Sequence, residues 1–398
     1  MYRPRSLAVP PFVTLFILLT IAALSVPSFA GARVGSTGSS AHVYVGSPNG
    51  IVDGYIYEFA VAPDGSAQPV SGSPVAGAAG SVVGATNTNY VFATDGRNIV
   101  TYTAASNGAL SQTSSVNGIA YDQDQQSASV QGLSTPSNGS NVYSFNFYFD
   151  GANNDYETWA VGSNGYLNYR APGAMPVYAT AGGWPLAYTA DGHYAYTFSA
   201  CNWDGSVWGL LRRSDGTLAR FTPGAQVPPP LNGQGFPACS QAVATSALGY
   251  VAVAWNGVFC CGGTPTIMTY AVQSNGNLNI VQGSEQFINC DSSPMVFDPS
   301  GTYLAVACNG IHVYKLSASG QLTSVGAVQE RNVPFANLQW DASNHLYATT
   351  DPNSQLCQTN NSACGLYIFN SNAGVLSLGP GSPYTVNQPG SLAVLAAQ

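Results

Sequence analysis

One phrase recurs seven times in this chain. A short run of aromatic and β-branched residues leads into a glycine turn, and a second run follows. The turn glycines are Gly65, Gly108, Gly165, Gly216, Gly276, Gly320 and Gly374, spaced 43 to 60 residues apart. In six cases Leu stands two residues beyond the glycine, at Leu110, Leu167, Leu218, Leu278, Leu322 and Leu376. Alternating aromatic and β-branched residues favour extended strands. Asn-Gly, Asp-Gly and related pairs supply the positive φ that a tight hairpin needs. A period of about fifty residues in an all-β pattern is that of propeller blades.

Each repeat divides into four strands, a to d from the centre outward. Strand c and its turn read YIYEFAVAPDG in the first repeat and LYIFNSNAG in the last. Strand b begins near His42, Tyr90, Asn141, His193, Tyr250, Tyr303 and His345. Six short apolar runs just upstream of strand b supply strand a, but the first repeat lacks one. GSLAVLAA, from Gly390 to Ala397, has strand-a character and nothing after it. The expected fold is therefore all-β: a seven-bladed β-propeller of four-stranded antiparallel blades, with the C-terminal strand closing the N-terminal blade. Closure of this kind removes the open sheet edges on which chains aggregate.

The start of the chain differs in kind. Arg3 and Arg5 precede an apolar stretch from Phe12 to Val26, and Ser28-Phe29-Ala30 follows. A basic start, an apolar stretch and a small-x-small end define a secretory signal peptide. The expected organisation is a signal peptide at 1–30, a short flexible segment at 31–40 and one propeller at 41–398, secreted or periplasmic. Charged residues make up 7 % of the chain, against a usual quarter. Net charge is −8, and it becomes −10 once the two leader arginines are removed with no acid. Lys315 is the only lysine. Such a chain has no basic surface with which to hold a phosphate backbone, so nucleic acid is excluded as a partner. No segment beyond the leader is long and apolar enough to span a bilayer as a helix.

The repeat phrase, with its G-S-P elements at Gly72-Ser73-Pro74 and Gly381-Ser382-Pro383, resembles the seven-bladed lactonase family, which includes 6-phosphogluconolactonase-like proteins. The resemblance spans nearly all of the chain beyond the leader. It implies a lactone hydrolase working at the central mouth, with His, Arg and Glu around it. The chain departs from that pattern. Of its four histidines, His42, His193 and His345 fall beside a–b turns, on the face opposite the mouth, and His312 falls in strand c. A G-x-S-x-G nucleophile elbow is absent.

In a propeller the d–a and b–c loops share the top face, and most acids fall there. Candidate ligand-binding residues are Trp203, Asp204, Arg97, Asp95, Glu330, Arg331 and Asp53. Trp stacks on rings, and Arg pairs with carboxylates in bidentate fashion. Asp150, Asp155 and Glu157, in a segment read as a long top loop, have oxygen ligands at a spacing that could hold Ca²⁺, although no cofactor is required. All eight cysteines lie between Cys201 and Cys364, and an even count in an exported chain suggests disulfides. Expected pairs are Cys357–Cys364, Cys290–Cys308, Cys239–Cys260 and Cys201–Cys261. A vicinal Cys260–Cys261 bridge with Cys201–Cys239 is the alternative. The favoured function is a secreted recognition propeller that binds a small ligand or a protein partner at its acidic top face. A lactone hydrolase is the second reading.

If the last strand closes the ring, removing residues 390–398 should destabilise every blade. Calorimetry of the truncated chain is expected to show a melting temperature lower by on the order of 10 °C or more. A truncated chain that melts like the full one would refute the closure.

Overall fold

The computed structural model describes residues 40–49, 53–85, 88–120, 128–148, 154–170, 177–179, 185–198, 207–220, 239–256, 265–288, 290, 294–359 and 361–397. The expected signal peptide lies outside these residues, as does residue 31–39 of the segment after it. Seven antiparallel sheets form, each with four positions in the order a-b-c-d. The C-terminal strand Ser391–Ala396 is strand a of the first blade and pairs along Ala41–Asn49, from Ala41↔Ala396 to Gly46↔Ser391. Strand b of that blade pairs in turn with Asp53–Val61.

Seven apolar clusters fill the molecule, one at each blade-to-blade interface. The sheets stand face to face around an axis, so both faces of a blade are buried. That is why the strands read as nearly continuous apolar and aromatic runs instead of alternating with polar residues. Tyr143, Phe145 and Tyr156 of the third blade pack on Leu186, Trp208 and Leu210 of the fourth. Tyr196 and Val207 of the fourth pack on Val251, Val253 and Trp255 of the fifth.

The turn glycines carry the junctions between blades. All seven have positive φ, from 79° at Gly165 to 89° at Gly108. Each turn also docks on the preceding blade within the first few residues of its strand b. Tyr44 donates to the Gly108 carbonyl at 3.0 Å, Tyr143 to Gly216 at 2.5 Å and Tyr196 to Gly276 at 2.7 Å. Tyr90 reaches Ser163 O at 2.8 Å, and Tyr250 reaches Ala318 O at 2.8 Å. A Cβ added at Gly108 would lie 2.6 Å from the His42 ring, and one at Gly165 would lie 2.7 Å from Tyr90. The glycines therefore meet two demands at once, a left-handed backbone and a surface flat enough for an aromatic ring.

The last blade closes on the first through a buried polar cluster. His345 is 2 % exposed and Asp341 6 % exposed. The Asp341 carboxylate faces His345 Nδ1 at 2.7 Å and accepts from Tyr347 OH at 2.8 Å. His345 Nε2 faces the Pro63 carbonyl of the first blade at 3.2 Å. Asn370 donates to Asp64 O beside it at 2.8 Å. With an acceptor against each ring nitrogen, the imidazole is satisfied only when doubly protonated. Burial lowers its pKa, but the hydrogen bond and charge of Asp341, the Pro63 carbonyl and the charge of Asp64 outweigh burial, so the net shift is upward from 6.5.

The outer strand is irregular where the sequence reading had one run. In the first, third, fifth and seventh blades it breaks into two segments that both pair with strand c. The G-S-P elements bridge two of these breaks with cis peptides at Ser73–Pro74 and Ser382–Pro383. Ser73 Oγ accepts from Glu58 N at 2.8 Å, and Ser382 Oγ accepts from Ile368 N at 2.9 Å. Ser284 does the same for Thr269 N at 3.1 Å in the fifth blade. A hydroxyl thus replaces the carbonyl missing from the interrupted ladder.

Two measurements follow from these contacts. Gly108→Ala and Gly249→Ala face the same backbone penalty, about 1–2 kcal/mol, because their φ values are +89° and +83°. Only Gly108 has a neighbour within 4 Å of the added Cβ, so Gly108→Ala should lose clearly more stability in denaturant titration; equal losses would remove the docking role. For His345, the raised folded pKa means that its stabilisation is complete below pH 6.5 and is lost as pH rises through the folded value. His42 and His312 shift downward, chiefly through burial, and act in the opposite sense. The readout is therefore the stability difference between wild type and His345→Gln, which should shrink from pH 5.5 to 8.5. A difference that stays constant over that range would rule out the charged ring.

Candidate functional site

The innermost strands of all seven blades enclose a central channel of about 720 Å³. Its described lining is uncharged: it includes no Asp, Glu, Lys, Arg or His. Small residues dominate, such as Gly80, Val83, Gly84, Ala242, Ala244 and Gly390. They must, because seven strand edges converge on one axis. Hydroxyls from the wall tie neighbouring blades together. Ser391 Oγ accepts from Val82 N at 2.9 Å, Ser81 Oγ from Leu133 N at 3.1 Å and Ser134 Oγ from Leu186 N at 3.3 Å. Asn337 Nδ2 donates to Gly390 O at 3.2 Å. This relay steps from the seventh blade through the first to the fourth.

Three innermost strands carry a β-bulge at one level. In the third blade Phe145 pairs with Gly132 and Asn146 with Val130, which leaves Gln131 as the extra residue. In the fifth blade Gln241 is passed over between Ser240↔Trp255 and Ala242↔Ala254. In the seventh, Ala336 is passed over between Phe335↔Thr350 and Asn337↔Thr349. In each blade the shift lies at the same distance along strand b from the residue that seats the next glycine turn. That distance places the bulges toward the d–a and b–c pole. Bulges re-aim side chains and recur beside binding sites. Gln131, Gln241 and Ala336 all line the channel. Periodicity arguments had no means of finding them, because a bulge depends on pairing with a partner strand.

Of the residues expected at the top face, Asp95 is occupied in holding backbone. Asp95 accepts from Arg97 N at 2.9 Å and from Asn98 N at 2.6 Å, closing its own b–c turn. Arg97 and Arg331 are exposed. Glu330 sits at φ +46°, and its carbonyl accepts from Val333 N at 3.1 Å. None of these four side chains lines the channel. Asp53 is the first residue of strand c in the first blade. Trp203, Asp204 and Asp150 lie outside the described residues.

The expected loop placement of Asp155 and Glu157 is corrected. Both belong to strand c of the third blade, Asn154–Val161, at 0 % exposure. Glu157 accepts from Ala120 N at 2.8 Å and 3.1 Å through its two oxygens, anchoring the connector that leaves the second blade. The polar run Asn-Asp-Tyr-Glu disguises a strand in which Glu157 turns inward to meet a backbone donor. Among the described residues, no three His, Cys, Asp or Glu side chains are grouped to hold a metal ion.

Two disulfides form at the same pole. Cys290–Cys308 joins the connector before the sixth blade to the end of that blade's strand b, with Cα atoms 5.6 Å apart. Cys357–Cys364 closes the seventh b–c connection around the helix Gln355–Thr359, with Cα atoms 5.1 Å apart. Cys201, Cys260 and Cys261 lie outside the described residues, so the other expected pairs do too. Of the histidines, His42, His193 and His345 occupy a–b turn positions away from the mouth, and His312 Nε2 faces Cys308 O at 3.0 Å.

No family model and no curated protein sequence matches the chain. Solved structures do. A candidate 6-phosphogluconolactonase from Bacteroides fragilis aligns with TM-score 0.60 and 17 % identity, over 90 % of this chain and 99 % of that one. A protein from Lactobacillus plantarum aligns with TM-score 0.60 and 14 % identity, over 89 % and 99 %. A functionally unknown protein from Desulfotomaculum acetoxidans aligns with TM-score 0.59 and 12 % identity, over 90 % and 100 %. At these identities the likeness is one of fold: the chain shares the seven-bladed architecture of 6-phosphogluconolactonase-like propellers.

Proposed function

We propose that this chain is an exported recognition propeller that takes a small uncharged ligand at the top mouth of its channel. The observation that carries this reading is the absence of charge among the described residues of the wall. Hydrolysis of a lactone needs a group that moves a proton to or from water near neutral pH, and a phosphorylated substrate needs cations. The described wall offers hydroxyls, amides and small apolar side chains instead. Those groups donate and accept hydrogen bonds and so bind and orient, but none of them ionises near neutral pH. A cavity of about 720 Å³ falls in the size range of small-molecule sites.

Export is supported from two directions. The basic, apolar and small-residue start of the chain has the order of a signal peptide. The two disulfides suit an oxidising compartment. A protein partner at the same face remains compatible with this reading, since the bridged loops would present a stable rim.

The test uses the full chain and a blocked channel. Ala336→Arg places a long cationic side chain at a bulge in the mouth. Ligand-observed NMR against a library of neutral small molecules is expected to yield hits that bind wild type and fail on Ala336→Arg at equal thermal stability. Lactone turnover by the wild type should not exceed the uncatalysed rate. Turnover above that rate, abolished in Ala336→Arg, would favour the hydrolase.

A further inference from the structure

We propose that Asn146, Asp155 and Glu157 form a structural Ca²⁺ site at the junction of the second and third blades. The proposal is independent of the channel, which none of the three side chains lines.

The pairing of strands b and c puts these groups together. Asn146 stands directly opposite Asp155, and Ser144 stands opposite Glu157. Opposed residues of an antiparallel pair share a face, with Cβ atoms about 5 Å apart. Residues two apart along one strand share it too, about 7 Å apart. All four side chains therefore project from one face of the third blade. Val142 and Trp159, next in the same two rows, pack in one cluster with Phe92 and Ile99 of the second blade. Beyond them the junction turns from apolar to polar, yet Ser144, Asn146, Asp155 and Glu157 are all 0 % exposed.

The donor groups described on this face already serve acceptors. Trp159 Nε1 donates to Ser144 Oγ at 3.0 Å, and Ser144 Oγ donates to the Gly118 carbonyl at 3.2 Å. Asn146 Nδ2 donates to the same carbonyl at 3.3 Å, and Ala120 N donates to Glu157 at 2.8 Å. The bond to Gly118 fixes which end of the Asn146 amide is nitrogen. Its Oδ1 is buried, and among the described residues no donor meets it. A buried acceptor left without a donor is costly. The residue across the ladder from it is a carboxylic acid, which when ionised only accepts. A cation satisfies the amide oxygen and the carboxylates together. A carboxylate that has accepted a hydrogen bond keeps lone pairs for a metal, so the Ala120 bond does not bar Glu157 from the site.

The repeat supplies an internal comparison. Glu157 lies eight residues before its turn glycine, and the same count in the other blades reaches Tyr57, Val100, Trp208, Met268, His312 and Leu366. No other blade places an acid there. At the same level of the fifth blade the opposed pairs are Val253↔Met268 and Trp255↔Thr266, and Val253, Trp255 and Met268 belong to its apolar core. The fold therefore does not itself require oxygens at this height. Two carboxylates and an amide carbonyl form a hard, all-oxygen set, which suits Ca²⁺; zinc favours thiolate and imidazole. Mg²⁺ demands near-ideal octahedral geometry and dehydrates reluctantly, whereas Ca²⁺ accepts irregular coordination that water completes. The ion would clamp strand c of the third blade to the connector that carries Gly118 and Ala120.

The experiment strips the full chain with EGTA, removes the chelator and titrates CaCl₂ by calorimetry. One Ca²⁺ per chain is expected to bind, with a dissociation constant of about 10⁻⁴ M or tighter, and MgCl₂ should bind about tenfold more weakly or worse. Ca²⁺ at about fifty times the dissociation constant should raise the melting temperature by about 3 °C. Asp155→Asn should weaken Ca²⁺ about tenfold or more, because ligand charge sets affinity. Asn146→Asp adds a third carboxylate. It should bind Ca²⁺ more tightly than wild type and melt below wild type in EGTA, a pairing that an amide with a purely structural role would not produce. Asp191→Asn, at an exposed acid of an a–b turn, should leave the titration unchanged. No heat and no melting shift with Ca²⁺ would overturn the proposal. So would binding that is indifferent to Asp155→Asn, or Mg²⁺ binding as tight as Ca²⁺. If Asp155→Asn did not fold, Asn146→Asp would decide: Ca²⁺ affinity no higher than that of wild type would overturn the site.

Discussion

The contact between each glycine turn and the blade before it is the constraint on which the rest of the structure depends. A four-stranded sheet with two apolar faces has no stable existence alone, because neither face can be left in water. Each blade must therefore find two neighbours, at a fixed height and angle. The c–d turn sets both. Its glycine turns the chain at positive φ, presents a bare surface to a ring or amide from the preceding strand b, and offers a carbonyl as acceptor. Repeated around the ring, this contact aligns the seven interfacial cores. At the closing junction the same position is held by His345, bonded to Asp341 and to the Pro63 carbonyl.

That economy explains where the few charged residues went. In a chain with 7 % charged residues, a buried acid must meet a donor or change its protonation state. Glu58 accepts from Leu110 N across the first interface at 2.7 Å, and Glu157 accepts from Ala120 N across the second. Burial raises the Glu58 pKa, and the Leu110 bond opposes that shift. These carboxylates act as hydrogen-bond acceptors between blades. The described channel lining is left to uncharged groups, which can approach the axis closely without electrostatic cost. Its polar character comes from hydroxyls that bind the blades together and from amides that bulges turn inward.

The repeat, the four-strand order and the C-terminal closure were all legible in the sequence, because each has a local signature. A tight turn demands glycine, a buried strand demands branched and aromatic residues, and a missing strand a leaves a countable gap. Two disulfides were legible for the same reason: Cys290 and Cys308 flank one a–b hairpin, and Cys357 and Cys364 flank one loop. The placement of Asp155 and Glu157 was not legible. Their polar neighbours read as loop, and only the backbone donor at Ala120, 37 residues away in sequence, explains an acid inside a strand. Asp95 was legible as a b–c turn position, but its role was not. Asp95 is a turn residue whose carboxylate is committed to its own neighbours.

The seven glycines thus mean more than their spacing alone conveyed. By itself the sequence determined the number of blades, the hairpin at the end of each strand c, and the absence of any histidine suited to the mouth, since these follow from backbone conformation and position along the repeat. Only the tertiary structure decided what those turns rest on, which strands bulge, and which side chains face the axis. A bulge is a relation between two strands, and a channel is a relation among seven. Neither exists until the chain has closed on itself, so the channel and the uncharged lining of its described residues appear only in the assembled ring.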